Sequence, residues 1–202
     1  MKQTLFFLSL FVIGIAMALS GIVPETIMNA ELSKWTLYLL LFFVGIHIGS
    51  NKNIFSAIRM FGSTIIWIPL ATTVGTFAGV ALAAPFVKDV ELVDSLSVGA
   101  GFAYYSLSSI IISEYRGAEL GAIALLANIM REFIVLIAAP LMVRYFGKLA
   151  PICAGGATTM DTTLPIITQN SGTEYVVIAL FHGIIIDFSV PLWVSFFINL
   201  NG

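Results

Sequence analysis

Apolar runs long enough to cross a bilayer alternate with short polar connections along this chain. They cover about residues 4–20, 32–50, 61–84, 118–143 and 174–198. A run of roughly 20 apolar residues matches the ~30 Å hydrocarbon layer of a membrane. Two further stretches, 96–114 and 151–170, are apolar at their edges but hold knots of Gly, Ser and Thr. Inside hydrocarbon every backbone N–H and C=O must find an internal partner, so such stretches are tolerable only when walled in by protein or lining a watery cavity. The pattern predicts an all-α integral membrane protein, one polytopic domain over residues 1–202. It has about five full transmembrane helices and two discontinuous or re-entrant segments. Reading 151–170 as a plain loop is the alternative, and the flanking Pro151-Ile-Cys-Ala and Leu164-Pro-Ile-Ile count against it.

Charge placement turns this into a topology. Lys52 and Arg59, with no acid between them, and Arg144 with Lys148 mark cytoplasmic connections, while Lys88, Asp89, Glu91 and Asp94 form an acidic outer one. The N-terminus is then cytoplasmic and the C-terminus periplasmic. The two broken segments enter from opposite faces and meet near the midplane. If both crossed fully instead, Arg144 and Lys148 would land outside. The first run, with Lys2 before it and Ala16-Met-Ala18 near its end, also has the layout of a signal peptide; a retained span is the preferred reading. Gly75 and Gly79, four apart, predict close approach of another helix.

Composition narrows the function classes. The chain is 59% hydrophobic and 10% charged, with a mean hydropathy of +1.02, which excludes an ordinary soluble domain. Nine Lys and Arg scattered between spans make no basic stripe, so nucleic acid is not a partner. One cysteine and two histidines provide neither a disulfide nor a cysteine-based or zinc site, and no cofactor or metal is expected.

Ionisable groups at bilayer depth are costly and mark function by default. Arg131, Glu132, Asp161 and Asp187 are the four candidates. Asn128 and Glu132 share a helix face, with Arg131 about 100° round from Glu132. Each has a structural alternative: Arg131 and Glu132 as bundle-holding ion pairs, and Asp161 as N-cap of a helix starting at Thr162. Gly155, Gly156, Thr158 and Thr159 sit at the second break, and Ser106 and Ser108 follow the first beside Tyr104 and Tyr105. His182 reads more readily as a satisfied interior histidine than as a proton relay. Broken helices offer free backbone groups and hydroxyls in place of a solute's water shell. Carboxylates beside them suit a cationic cargo or protons.

Three motifs carry a likeness to a known family: Tyr105-Ser-Leu-Ser108; Ala124-Leu-Leu-Ala-Asn128 through Arg131-Glu132; and Gly155-Gly-Ala-Thr-Thr-Met-Asp-Thr-Thr-Leu-Pro165. In this order they resemble the bacterial inner-membrane lysine exporters of the LysO family. The resemblance implies export of L-lysine or its toxic analogues, coupled to the proton gradient. Family members are longer, so it also implies a small companion membrane subunit of about three spans; a homo-oligomer is a further expectation. The other readings are a membrane subunit of a transporter complex for another solute, a structural membrane protein, and an intramembrane aspartyl protease. No Gly-x-Gly-Asp precedes Asp161 or Asp187, so an enzyme is not expected.

Overall fold

The computed structural model describes residues 64–87 and 90–200, with isolated positions before residue 64. The spans expected over 4–20 and 32–50 lie outside the described residues. What is described is all helix, without a strand. Among the described residues three helices are long and apolar enough to cross a membrane: α1 (Thr64–Ala83), α4 (Ala118–Phe146) and α7 (Val176–Leu200). At about 1.5 Å per residue, the 29 residues of α4 reach roughly 43 Å, the longest helix among the described residues. The outward positions Ile134, Ile137, Leu141 and Tyr145 of α4 are exposed apolar groups, as on a helix facing lipid or another helix.

Between these struts lie two short-helix pairs. The first is α2 (Leu92–Gly99) and α3 (Tyr105–Arg116), and the second is α5 (Ala150–Gly155) and α6 (Leu164–Ser171), which a 3-10 turn over Gly156–Met160 follows and precedes respectively. Each pair is a hairpin, because its two ends are tied together. Arg116 at the end of α3 pairs with Asp94 at the start of α2, 2.8 Å apart. Ser171 at the end of α6 donates to the carbonyl of Lys148 just before α5, at 2.8 Å, and Lys148 in turn bonds Glu174 at 3.1 Å.

The hairpins also sit at opposite ends of α4. The first joins α4 through Gly117 at its amino end; the second follows Gly147 at its carboxyl end. At both glycines the backbone turns with positive φ, +96° and +87°, which favours Gly. Serines line the α3–α4 contact so tightly that a Cβ on Gly121 would overlap Ser113 Oγ. The close approach expected at Gly75 and Gly79 is not made by any described residue, since nothing lies within 4 Å of a Cβ built there. Gly99 of α2 takes that part, with Val80 of α1 2.6 Å from its Cβ position. The main core, Phe102, Leu107, Ile111, Ala157, Ile186, Val190 and Val194 among others, lies where the hairpin tips meet α7.

Candidate functional site

The tips touch. The amide of Ala157 in the second hairpin donates to the carbonyl of Phe102 in the first, at 2.9 Å. Gly156 makes this approach feasible: its φ is +61°, and a Cβ there would collide with the Phe102 carbonyl oxygen. On the other side, Phe102 and Ala103 hold φ of +43° and +69°, unusual for side chains with a Cβ. Such strain persists only where the surroundings over-determine it. Here Ala103 N–H donates to Asn128 Oδ1 at 2.8 Å, and Asn128 Nδ2 donates to Val98 O at 3.1 Å and Ala124 O at 2.9 Å.

Arg131, one turn along α4, secures the second tip. Its Nε donates to Ala154 O at 2.8 Å, and its Nη2 to Cys153 O at 3.3 Å and Thr76 Oγ1 at 3.2 Å. These carbonyls belong to the last turn of α5, which lacks helical partners of its own. The guanidinium carbon also lies 5.6 Å from the centre of the Phe102 ring, so one side chain braces both tips. An ion pair with a neighbouring helix is therefore not what occupies this guanidinium. An apolar cavity of about 330 Å³ between α1, α2 and α4 has Thr76, Asn128 and Arg131 in its lining, but none of the three carboxylates.

His182 is the interior histidine expected, and it does specific work. Thr159 Oγ1 lies 2.8 Å from Gly156 O and 2.9 Å from Ala179 O, so its single proton goes to a carbonyl. It then accepts from His182 Nδ1 at 3.1 Å, leaving Nε2 to accept from the Thr72 hydroxyl at 2.9 Å. This is the pattern of a neutral ring protonated on Nδ1, tying α1, the second tip and α7 together. Thr158 bonds Gly155 O at 2.8 Å and Thr163 Oγ1 at 3.3 Å, closing the 3-10 turn on itself. A Cβ on Gly155 would press on Thr159 Cγ2 at 2.7 Å, and one on Gly183 of α7 would meet Met160 N at the same distance.

The three carboxylates stand on α4, on α7 and at the end of the 3-10 turn. Glu132 is fully buried on the stripe of α4 that also buries Asn128, Val135 and Ala139. Asp187 of α7 is 4% exposed and takes part in no hydrogen bond or ion pair among the described residues. Asp161 is exposed at the end of the 3-10 turn and accepts the amide of Thr162. It is not the expected N-cap: α6 starts at Leu164, so Thr163 holds that position, with Pro165 in the first turn. Tyr105 lies within range of the charges of Glu132 and Asp161, and Tyr104 within range of those of Asp187 and Asp161. Ser108 is buried and donates to Tyr104 O at 2.8 Å, a local helix bond, whereas Ser106 is half-buried. Among the described residues no His, Cys, Asp and Glu gather in a group able to hold a metal.

The sequence pointed to Asn128, Arg131, Thr158 and Thr159, and the structure gives each of them backbone to hold. Phe102, Ala103, Thr72 and Thr163 carried no sequence signal as site residues, since their parts depend on a backbone crossing far apart in the chain.

Comparison with known proteins covers nearly the whole chain. A profile of the family described as Lysine exporter LysO matches residues 8–198. A protein of Escherichia coli (strain K12) named "Lysine exporter LysO" is 34% identical over 188 residues, which are 92% of this chain and 61% of that protein. A Haemophilus influenzae protein named "Putative lysine exporter" is 31% identical over 163 residues, 81% of this chain and 82% of the relative. The chain thus spans less than two thirds of the first relative's length and most of the second's. No solved structure matches it.

Proposed function

We propose, from the premise that this chain belongs to the lysine exporter LysO family, that it exports L-lysine or a related cationic amino acid across the bacterial inner membrane in exchange for protons. The family is one of multi-pass membrane exporters rather than of enzymes. The observation that carries the reading is the meeting of two hairpins from opposite ends of α4, tip to tip through Ala157 N–H and Phe102 O at 2.9 Å. Breaks at mid-depth put backbone groups where a solute must shed its water, and they do so without exposing that backbone to lipid. An ammonium leaving water needs an anion, or stranding it costs several kcal/mol. Glu132, Asp161 and Asp187 supply the anions, and a carboxylate vacated by the cargo takes up the returning proton.

In this reading the first hairpin enters from the periplasm, beside Glu91 and Asp94, and the second from the cytoplasm, beside Arg144 and Lys148. The companion membrane subunit of about three spans that the family resemblance implies is kept in this reading. Full resistance conferred by this chain alone on a lysine-analogue-sensitive exporter mutant would rule the companion out. The exporter reading is tested by counterflow of labelled lysine in proteoliposomes. Uptake against a lysine-loaded interior, accelerated by an imposed pH gradient, is the expected result. Absence of lysine exchange at any gradient refutes it.

A further inference from the structure

We infer that Thr72 and Thr76 of α1 are positioning residues for the passage of the cargo. From outside the second hairpin they hold its tip, Thr72 by fixing the tautomer of His182 and Thr76 by fixing the guanidinium of Arg131. This rests on the exporter reading and goes beyond it, because it gives a part in transport to a helix that carries no acidic residue.

The second tip has little regular structure of its own. α5 has 6 residues and α6 has 8, and helices this short are marginal without packing. The turn between them, Gly156–Met160, is 3-10. Two side chains from neighbouring helices hold it. Arg131 of α4 donates to Ala154 O and Cys153 O at the end of α5, and His182 of α7 donates through Nδ1 to Thr159 Oγ1 in the turn. Each of these two has a further bond, and both of those bonds go to α1. Thr72 Oγ1 lies 2.9 Å from His182 Nε2, with both residues buried, and Thr76 Oγ1 accepts from Arg131 Nη2 at 3.2 Å. Residues four apart share a helix face, so one stripe of α1 reaches both holders of the tip.

The Thr72 bond settles where a proton sits. A neutral imidazole that accepts at Nε2 carries its proton on Nδ1, and an Nδ1–H donor is what Thr159 needs. Thr159 gives its own proton to Gly156 O or Ala179 O and has no second one for the ring. Without the Thr72 hydroxyl nothing opposes the Nε2–H tautomer, and the donor to Thr159 goes with the proton. Thr73, next along the chain, shows the alternative use of a hydroxyl, donating to Pro69 O of its own helix at 2.9 Å. The Thr76 bond settles an angle instead. The donors of a guanidinium are fixed in one plane, so an acceptor at Nη2 sets the plane in which Nε and Nη2 meet the α5 carbonyls. α1 is itself seated on the first hairpin. Its stripe continues to Val80, whose Cγ2 lies 2.6 Å from where a Cβ on Gly99 would stand. The two hydroxyls thus hold the second tip against a helix that rests on the first hairpin.

The test makes one substitution at three threonines of α1. Val has the branched shape of Thr without the hydroxyl, and Thr73→Val is the control because its bond stays within the helix. In lysine counterflow normalised to folded protein, Thr72→Val and Thr76→Val should each fall about fivefold or more, the size of one lost buried hydrogen bond, with Thr73→Val within about twofold of wild type. Thr72→Ser and Thr76→Ser, which restore the hydroxyl, should recover the rate. Two readouts follow the tip directly. In histidine-labelled protein carrying His47→Gln, 15N NMR should show His182 protonated on Nδ1 in the wild type, Thr73→Val and Thr72→Ser, and on Nε2 or on both in exchange in Thr72→Val. Cys153, whose carbonyl Arg131 holds, should react with N-ethylmaleimide about fivefold faster or more in Thr76→Val and at the wild-type rate in Thr76→Ser. Equal counterflow in all three Val variants, or a His182 tautomer and a Cys153 rate that do not move, overturns the assignment and leaves the exporter reading standing. A wild-type chain that exchanges no lysine overturns the exporter reading, and the part of the two hydroxyls in transport falls with it.

Discussion

Gly156→Ala is the substitution that tests whether the tip-to-tip contact holds the molecule together. Two costs fall on it. An L side chain at φ +61° is strained by about 1–3 kcal/mol. The new Cβ also occupies the place of the Phe102 carbonyl oxygen, so the tips must part and the bond from Ala157 N–H, 2.9 Å in the wild type, is lost. A buried carbonyl left without its donor costs a further ~1–3 kcal/mol. The sum is roughly 2–4 kcal/mol after partial relaxation, a 30- to 1000-fold change in the folded fraction. Gly147→Ala serves as the internal reference. It has the same sign of φ, +87°, but nothing lies within 4 Å of its Cβ position, so it carries the strain without the collision. Denaturation in detergent should place Gly156→Ala below Gly147→Ala by about 1–3 kcal/mol, and lysine counterflow should fall only in Gly156→Ala. Equal stability of the two variants, with counterflow intact in both, refutes the crossing as a structural contact.

Three further outcomes are expected. Arg131→Met removes the donors to Ala154 O, Cys153 O and Thr76 Oγ1 and should destabilise by about 2–4 kcal/mol in the same assay, with Arg131→Lys recovering less than half; a Lys variant equal to wild type refutes the clamp. Glu132→Gln keeps shape and buried hydrogen bonding but cannot change charge, so export should drop to background at matched protein level, while Glu132→Asp retains part of it with an altered pH dependence. Wild-type export by Glu132→Gln leaves Asp161 or Asp187 as the carrier. In a Cys153→Ser background, single Asp94→Cys and Arg116→Cys proteins should react with an impermeant maleimide from the periplasm, and Lys148→Cys and Glu174→Cys only from the cytoplasm; labelling of one hairpin's two ends from different sides defeats the hairpin topology.

Much of this arrangement was legible because hydrocarbon constrains sequence so tightly. Glycines and hydroxyls inside 96–114 and 151–170 had to mark breaks, and the breaks are at 100–104 and 156–163. Placement of Arg144 and Lys148 against Asp94 predicts opposite entry, and the two hairpins leave opposite ends of α4, each tied across its own ends. Contact partners were another matter. Gly75 and Gly79 have the spacing of a helix interface, yet the described neighbour of α1 meets it through Gly99 and Val80, because spacing names a surface and not its occupant. Phe102 and Ala103 gave no sign of left-handed backbone, since only Gly and Asn announce it from sequence. Asp161 read as an N-cap because its position relative to a helix start was displaced by Pro165, which fixes α6 two residues later than a Thr162 start requires.

Arg131 and Glu132 are adjacent in sequence and divided in duty, and the helix between them explains why. A step of about 100° sends the guanidinium to the α5 carbonyls and the carboxylate into the buried stripe below Asn128. Both tips are consequently bonded to one turn of α4, the first through Asn128 and the second through Arg131. Neither hairpin can withdraw from the crossing without breaking bonds to the same rigid strut, whose buried stripe also carries Glu132. Under the proposed exchange, the change of charge on Glu132 falls on the same turn of α4 that holds both tips.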